Sequence, residues 1–167
     1  MALDQHREEA PSALRFALIV ATDTRTAGDD RTTPLVRERV TLAGHELAAA
    51  RRVPNEIGEI QDALRQLLIA NGIDVVVVSG GTGFSPRDVT VEAIRPLLER
   101  TVDGFGELFR ALSFAEIGAA AMLSRALAGT AHRRAVFVLP GSPQAVALAL
   151  ERLILPEAAH LVAQLRR

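Results

Sequence analysis

The segment Ile73-Asp74-Val75-Val76-Val77-Val78, followed at once by Ser79-Gly80-Gly81-Thr82-Gly83, decides the fold. Four consecutive valines carry no polar alternation, which predicts a central parallel strand covered by helices on both faces. The glycines that follow allow a sharp turn and let backbone N–H groups approach a ligand closely. In parallel α/β sheets ligands sit beyond the carboxyl ends of strands, and this loop begins at such an end.

The same alternation repeats outward from this point. Upstream, Leu14 to Val20 (LRFALIV) reads as a buried strand, followed by a polar stretch from Ala21 to Thr33. Thr33 as N-cap and Pro34 as first helical residue predict a helix to about Ala43, stopped by Gly44. His45 to Val53 is a weaker strand. Ile57, Ile60, Leu64, Leu67 and Leu68 recur on one helix face, ended by Asn71-Gly72. Downstream, Thr90 is placed to cap a helix that Pro96 bends or ends. Asp103 to Ala128 reads as two helical pieces, and Ala135 to Leu139 as a further buried strand. Ser142 as N-cap and Pro143 behind it start a helix over about Gln144 to Leu153, and Leu155-Pro156 starts the last. This order implies an α/β three-layer sandwich with a mainly parallel sheet flanked by helices. Residues 1–13 read as a flexible N-terminal arm and 14–167 as a single domain.

What the chain lacks narrows its chemistry. It has no Cys, which removes thiol nucleophiles, disulfides and Cys-ligated zinc. Its 19 basic residues are all Arg, so lysine Schiff bases and the P-loop lysine are excluded. A net charge of -1, with no Trp or Tyr, argues against general nucleic-acid binding. No run of about 20 apolar residues is present, so no membrane span is expected. The polar, acidic first residues do not resemble a signal peptide, and a cytoplasmic protein is expected. The four His lie far apart with no i,i+4 pair, which argues against a His metal site.

Three polar loops leave predicted strand ends: Thr22 to Asp30, Gly80 to Asp88 and Pro140 to Pro143. Gly80-Gly81-Thr82-Gly83 suits an anion nest of successive N–H groups, although a bare GGTG also serves as a plain strand-to-helix turn. It is not a dinucleotide fingerprint, because Pro86 stands where the third small residue is needed. A carboxylate beside a phosphate nest suits Mg²⁺, which makes Asp88 a candidate metal ligand and Arg87 a candidate anion clamp. The alternative for Asp88 is a favourable charge at a helix N-terminus. Asp23, two residues past its strand, is placed for a ligand, whereas Asp29 and Asp30 read as turn residues. Gly141-Ser142-Pro143 puts a helix start at a strand end, which serves either an anion or ordinary capping. Ser124-Arg125 offers a hydroxyl and a cation, or simply a helix surface.

TDTRT (22–26), SGGTGFSPRDVT (79–90), DGFGELFR (103–110), LSFAEIGAAAMLSRALAG (112–129) and FVLPGSPQAV (137–146) stand in this order. Together they resemble the MoaB/MogA family of molybdenum cofactor biosynthesis proteins, over about Leu14 to Leu161, and look more like the MoaB type. The resemblance implies a fold that binds the phosphorylated pterin molybdopterin. Active members transfer AMP from Mg-ATP to its phosphate and release pyrophosphate. It implies assembly as a homotrimer or homohexamer, and partners among other molybdenum cofactor biosynthesis proteins. On this pattern Gly80, Gly81, Thr82 and Gly83 cradle phosphate and Asp88 belongs to the magnesium site. Asp23 adds to ligand binding; Ser124, Gly141 and Ser142 line the pterin pocket, with Phe105 to Glu107 at its rim.

One departure bears on activity. Active members carry Pro-Asp-Asp or Pro-Asp-Glu where this chain has Pro54-Asn55-Glu56. Asn55 therefore takes the place of the catalytic Asp, as a neutral oxygen that cannot offset Mg²⁺ charge, and Glu56 is the nearest carboxylate in its stead. The family resemblance thus leaves two readings, a molybdopterin adenylyltransferase and a carrier or scaffold that binds pterin or nucleotide without turnover.

Overall fold

The computed structural model describes residues 11–24 and 26–167. Residues 1–10 of the expected arm, and Arg25 of the TDTRT motif, lie outside the described residues. The chain runs β1 (Arg15–Ala21), α1 (Thr32–Leu42), β2 (Glu46–Val53), α2 (Ile57–Ile69), β3 (Val75–Ser79) and α3 (Thr90–Ile94). It continues through β4 (Arg100–Thr101), α4 (Asp103–Ile117), β5 (Leu127–Ala131), β6 (Arg134–Leu139), α5 (Pro143–Ala149) and α6 (Leu155–Arg166). The strands form one sheet in the order β2-β1-β3-β6-β5-β4. The first four are parallel, while β5 and β4 run antiparallel to their neighbours.

The valine run is the central strand its composition predicts, with β1 on one side and β6 on the other. Alternate residues divide the core between the two faces, as the two-residue period of a strand requires. Phe16, Leu18, Val75, Val77 and Phe137 face α1, α4 and the α5–α6 helix. Ala17, Ile19, Val76, Val78 and Val136 face α2 and α3. Register then aligns the carboxyl ends. Val20 pairs with Ser79, Ser79 with Leu139, and Ala21 with Val53. The loops that start at Thr22, Pro54, Gly80 and Pro140 therefore emerge side by side. The order β2-β1-β3 also makes the gap between β1 and β3 the point where the winding reverses, where such sheets bind ligands.

Three local expectations need correction. Asp103 to Ala128 is not helical throughout: α4 and a 3-10 segment, Gly118–Leu123, give way to β5 at Leu127. Ala and Gly in LAGTA hide this strand, which exists because a tight two-residue turn at His132 and Arg133, both at positive φ, folds it onto β6. Thr33 does not cap α1. The carboxylate of Asp30 accepts the N–H groups of Thr32 and Thr33 at 2.9 and 3.0 Å and the Thr33 hydroxyl at 2.6 Å. Thr90 caps nothing either; it is the first residue of α3, and its hydroxyl is buried without a hydrogen-bond partner among the described residues.

The Ser142-Pro143 start holds, with the Ser142 hydroxyl accepting the Ala145 N–H at 3.2 Å. The helix it begins does not stop near Leu153 but passes into α6 through a π-turn at Leu150–Ile154. Pro156 supplies the reason, since it has no N–H to give to residue 152 and its ring crowds that carbonyl.

Asp30 also yields a stability prediction. Burial opposes its ionisation, but hydrogen bonds from Thr33, Arg52 and Thr32 outweigh that and hold its carboxyl below the usual carboxylate range. A lowered folded-state pKa stabilises above the unfolded value of 3.8, and the benefit fades as pH falls through the folded value. Asp30→Ala is expected to lower unfolding free energy by about 1 kcal/mol at neutral pH. Denaturant titration should show the wild-type advantage shrinking below about pH 4.

Candidate functional site

A cleft of about 300 Å³ opens beyond the ends of β1, β3 and β6. Asp23, Asn55, Gly80, Gly81, Arg87 and Gly141 meet at its walls. Gly80 is held between strands, donating its N–H to Leu139 at 3.1 Å, with φ of +96°. A Cβ there would collide with the Ala21 carbonyl, and one on Gly141 would lie 3.2 Å from the Gly80 Cα. These glycines let three strand ends converge.

Asp23 organises one wall. One carboxylate oxygen accepts the Asn55 N–H at 2.9 Å; the other takes the Arg87 guanidinium, 2.9 Å from Nε and 2.8 Å from Nη2. The Asn55 amide and Arg87 hold the Asp23 carboxyl below the usual carboxylate range. The contact ties the β1 and β2 ends to the loop after β3. Arg87, expected as an anion clamp, is in this structure an ion-pair partner on the cleft wall.

The Asn55 side-chain oxygen is buried and has no hydrogen-bond partner among the described residues. It faces Gly81, as does the equally unpaired Thr90 hydroxyl; a Cβ on Gly81 would strike both. Two buried side-chain oxygens, an amide acceptor and a hydroxyl, at one glycine leave a polar niche that only a missing side chain makes possible. Leaving such groups unpaired is unfavourable by about 1–3 kcal/mol each, so the niche offers its polar atoms to a water, an ion or a ligand.

Asp88 stands a little further along the loop. Its carboxylate lies against Gly83 and accepts the Ser85 N–H at 3.1 Å. Among the described residues no three His, Cys, Asp or Glu side chains gather as a metal cage. A magnesium ion arriving on nucleotide phosphates requires only one or two protein carboxylates; Asp88 offers one from the loop after β3, although it is not among the residues that line the cleft. Glu56 does not join the cleft wall; it is exposed at the start of α2. Asn55 sits at the centre of a tight turn, closed by the Glu56 N–H on the Pro54 carbonyl at 2.8 Å, and Glu56 beyond it is exposed rather than on the cleft wall.

Other expected residues fall elsewhere. Thr82 is buried and its carbonyl accepts Arg125 Nε at 2.9 Å. Ser142 caps α5 beside Gly141. Ser124 is not on the cleft lining; its hydroxyl accepts the Ala126 N–H at 3.4 Å. Gly106 and Glu107 line a second cavity of about 440 Å³, which Arg125 also lines, while Phe105 is buried in the core. The residue whose importance sequence reading underestimates is Arg125. Its one signal is that it is the sole basic residue in the run 112–128.

Comparison with known proteins bears on the family and the fold. A family model described as a probable molybdopterin binding domain matches residues 17–160. Molybdenum cofactor biosynthesis protein B of Bacillus subtilis (strain 168) is 44% identical over 172 residues, covering 100% of this chain and 99% of that protein. A solved structure of a molybdenum cofactor biosynthesis protein B superposes with a TM-score of 0.91 at 43% identity, covering 95% of this chain and 99% of that one. The tungsten cofactor synthesizing protein MoaB from Pyrococcus furiosus gives 0.83 at 38% identity, covering 95% and 100%. Among the described residues no helix is long and apolar enough to cross a membrane. A glycine loop at the reversal point of the sheet, and these full-length likenesses, lead to one conclusion: the chain belongs to the molybdopterin-binding domain family of molybdenum cofactor biosynthesis proteins, on its MoaB side.

Proposed function

We propose that the cleft binds molybdopterin through its phosphate and that the bound pterin receives AMP from Mg-ATP. The observation that carries this reading is the glycine loop: among the described residues, the backbone N–H groups of Gly81, Thr82 and Gly83 make no hydrogen bond. Unpaired amides in sequence are an anion-binding surface. The phosphates would rest there, with Arg87 free to exchange Asp23 for a phosphate oxygen. Magnesium brought by the nucleotide would take Asp88, and it supplies neutralisation of charge developing on the transferred phosphoryl group. The chain's own part is positioning. Gly80 and Gly141 bring the strand ends together, and the Asp23–Asn55 contact sets the niche beside Gly81.

Asn55 favours a second reading. A neutral amide contributes no charge against Mg²⁺, so the same geometry also fits a protein that holds pterin or nucleotide without turnover. Purified protein with molybdopterin and Mg-ATP separates the two. Adenylylated pterin and pyrophosphate support transfer; pterin binding without either product leaves the carrier; absence of binding removes both.

Assembly belongs to the same proposal. Leu108, Phe114, Ile117, Met122 and Leu123, along α4 and the 3-10 segment after it, are all more than half exposed. An apolar face of this kind suits burial between copies, as a homotrimer or homohexamer. Sedimentation at micromolar concentration would remove this expectation by showing one 17.9 kDa species.

A further inference from the structure

We infer that Arg125 is the positioning residue of the glycine loop, locking its peptide planes so that consecutive amides face away from the guanidinium, toward a phosphate. The inference rests on the phosphate-binding reading above and says what makes the loop competent.

Arg125 reaches the loop from the segment just before β5. Its Nε donates to the Thr82 carbonyl at 2.9 Å, and its Nη2 to the Gly83 carbonyl at 2.6 Å and the Asp88 carbonyl at 3.1 Å. Its Nη1 pairs with Glu92, from α3. The Phe84 ring lies 5.2 Å from the guanidinium carbon, a cation–π distance. The Glu92 carboxyl is held below the usual range chiefly by this hydrogen bond, so the pair is charged at neutral pH.

The geometric consequence follows from the planar trans peptide, in which the C=O of one residue and the N–H of the next point in opposite directions. Pinning the Thr82 and Gly83 carbonyls on Arg125 turns the Gly83 and Phe84 N–H groups away from it. The Gly81 carbonyl is likewise held, by the Thr90 N–H at 3.0 Å, which turns the Thr82 N–H. Three successive peptide planes are therefore fixed through their oxygens, and their three amides have no partner among the described residues. A loop of this composition is otherwise mobile, because glycine carries the largest conformational entropy. Donors fixed before the ligand arrives bind it without a reorganisation penalty. Lysine cannot replace this arrangement, since one ammonium does not reach three carbonyls and a carboxylate in a plane.

The test compares wild type, Arg125→Lys and Arg125→Gln by amide ¹⁵N order parameters and by calorimetric titration with inorganic pyrophosphate. Order parameters at Thr82, Gly83 and Phe84 are expected to be about 0.85 in wild type and below about 0.6 in both variants. Pyrophosphate affinity is expected to fall about tenfold in both, because Arg125→Lys keeps the charge and loses the fork. Unchanged order parameters overturn the inference, as does wild-type affinity in Arg125→Lys, which would reduce Arg125 to a distant charge. Should Arg125→Gln not fold, Arg125→Lys and Glu92→Gln, which loosens the guanidinium, carry the same readouts. If wild type fails to bind pyrophosphate while the order parameters change as expected, the phosphate-binding reading falls and the positioning role stands.

Discussion

Asp88→Asn is expected to lower AMP transfer by at least about 100-fold while leaving the melting temperature close to wild type. The asparagine keeps an oxygen for the Ser85 N–H, which the carboxylate accepts at 3.1 Å, so the turn between Ser85 and Asp88 survives. It loses the charge that would hold magnesium beside the loop. Asp88→Ala should show the same loss of turnover with an added loss of stability, because the turn then loses its side-chain acceptor. Full activity in Asp88→Asn would eliminate a charged metal ligand at this position. Asn55→Asp is the companion. It places a second carboxylate next to Asp23, whose oxygen already accepts the residue 55 N–H at 2.9 Å. Two neighbouring like charges destabilise one another unless a cation joins them. The variant is expected to melt earlier in chelator and to recover on adding Mg²⁺. A gain in AMP transfer would identify the neutral Asn55 as what limits the wild type.

Gly80→Ala is expected to lower unfolding free energy by about 3 kcal/mol, seen as a fall of about 6–12 °C in Tm. Two penalties combine. The residue sits at φ +96°, outside the regions open to L side chains, and the added Cβ meets the Ala21 carbonyl. Ala21 ends β1, a central strand paired on both sides, so the backbone cannot yield. Ligand binding should fall as well, because any accommodation separates β1 from β3 at the cleft floor. Gly58→Ala is the control: it lies near the start of α2 with open space around its Cα, and its stability should be unchanged or higher. A Gly80→Ala protein as stable as wild type would show that the convergence of strand ends tolerates a side chain.

Most of the sheet was readable because its strands are chemically unambiguous. Four valines in a row, LRFALIV and AVFVL each lack the polar residue that a half-exposed strand would show. β5 was not readable. Its LAGTA composition follows an Ala- and Leu-rich run, and only pairing with β6 makes it a strand. The cap of α1 was misplaced by a related limit. Asp30, Thr32 and Thr33 all carry capping side chains, and local sequence does not say which one turns toward the helix.

The site divides the same way. Gly80, Gly81, Asp23 and Gly141 were each legible as residues at strand ends, and Asn55 only through the family motif it departs from. Residue type and strand position determined, by sequence alone, a parallel α/β sheet with a glycine loop at its centre. The ordered motifs determined the family. Only the tertiary structure decided which side chains share a wall. The reversal between β1 and β3 sets Asp23 against Arg87, 64 positions away, and leaves Glu56 outside. Arg125 meets its carbonyls 37 to 43 residues earlier in the chain. Periodicity reports which face of an element is apolar, whereas a hydrogen bond across such separations depends on how whole elements pack, and no local pattern encodes it.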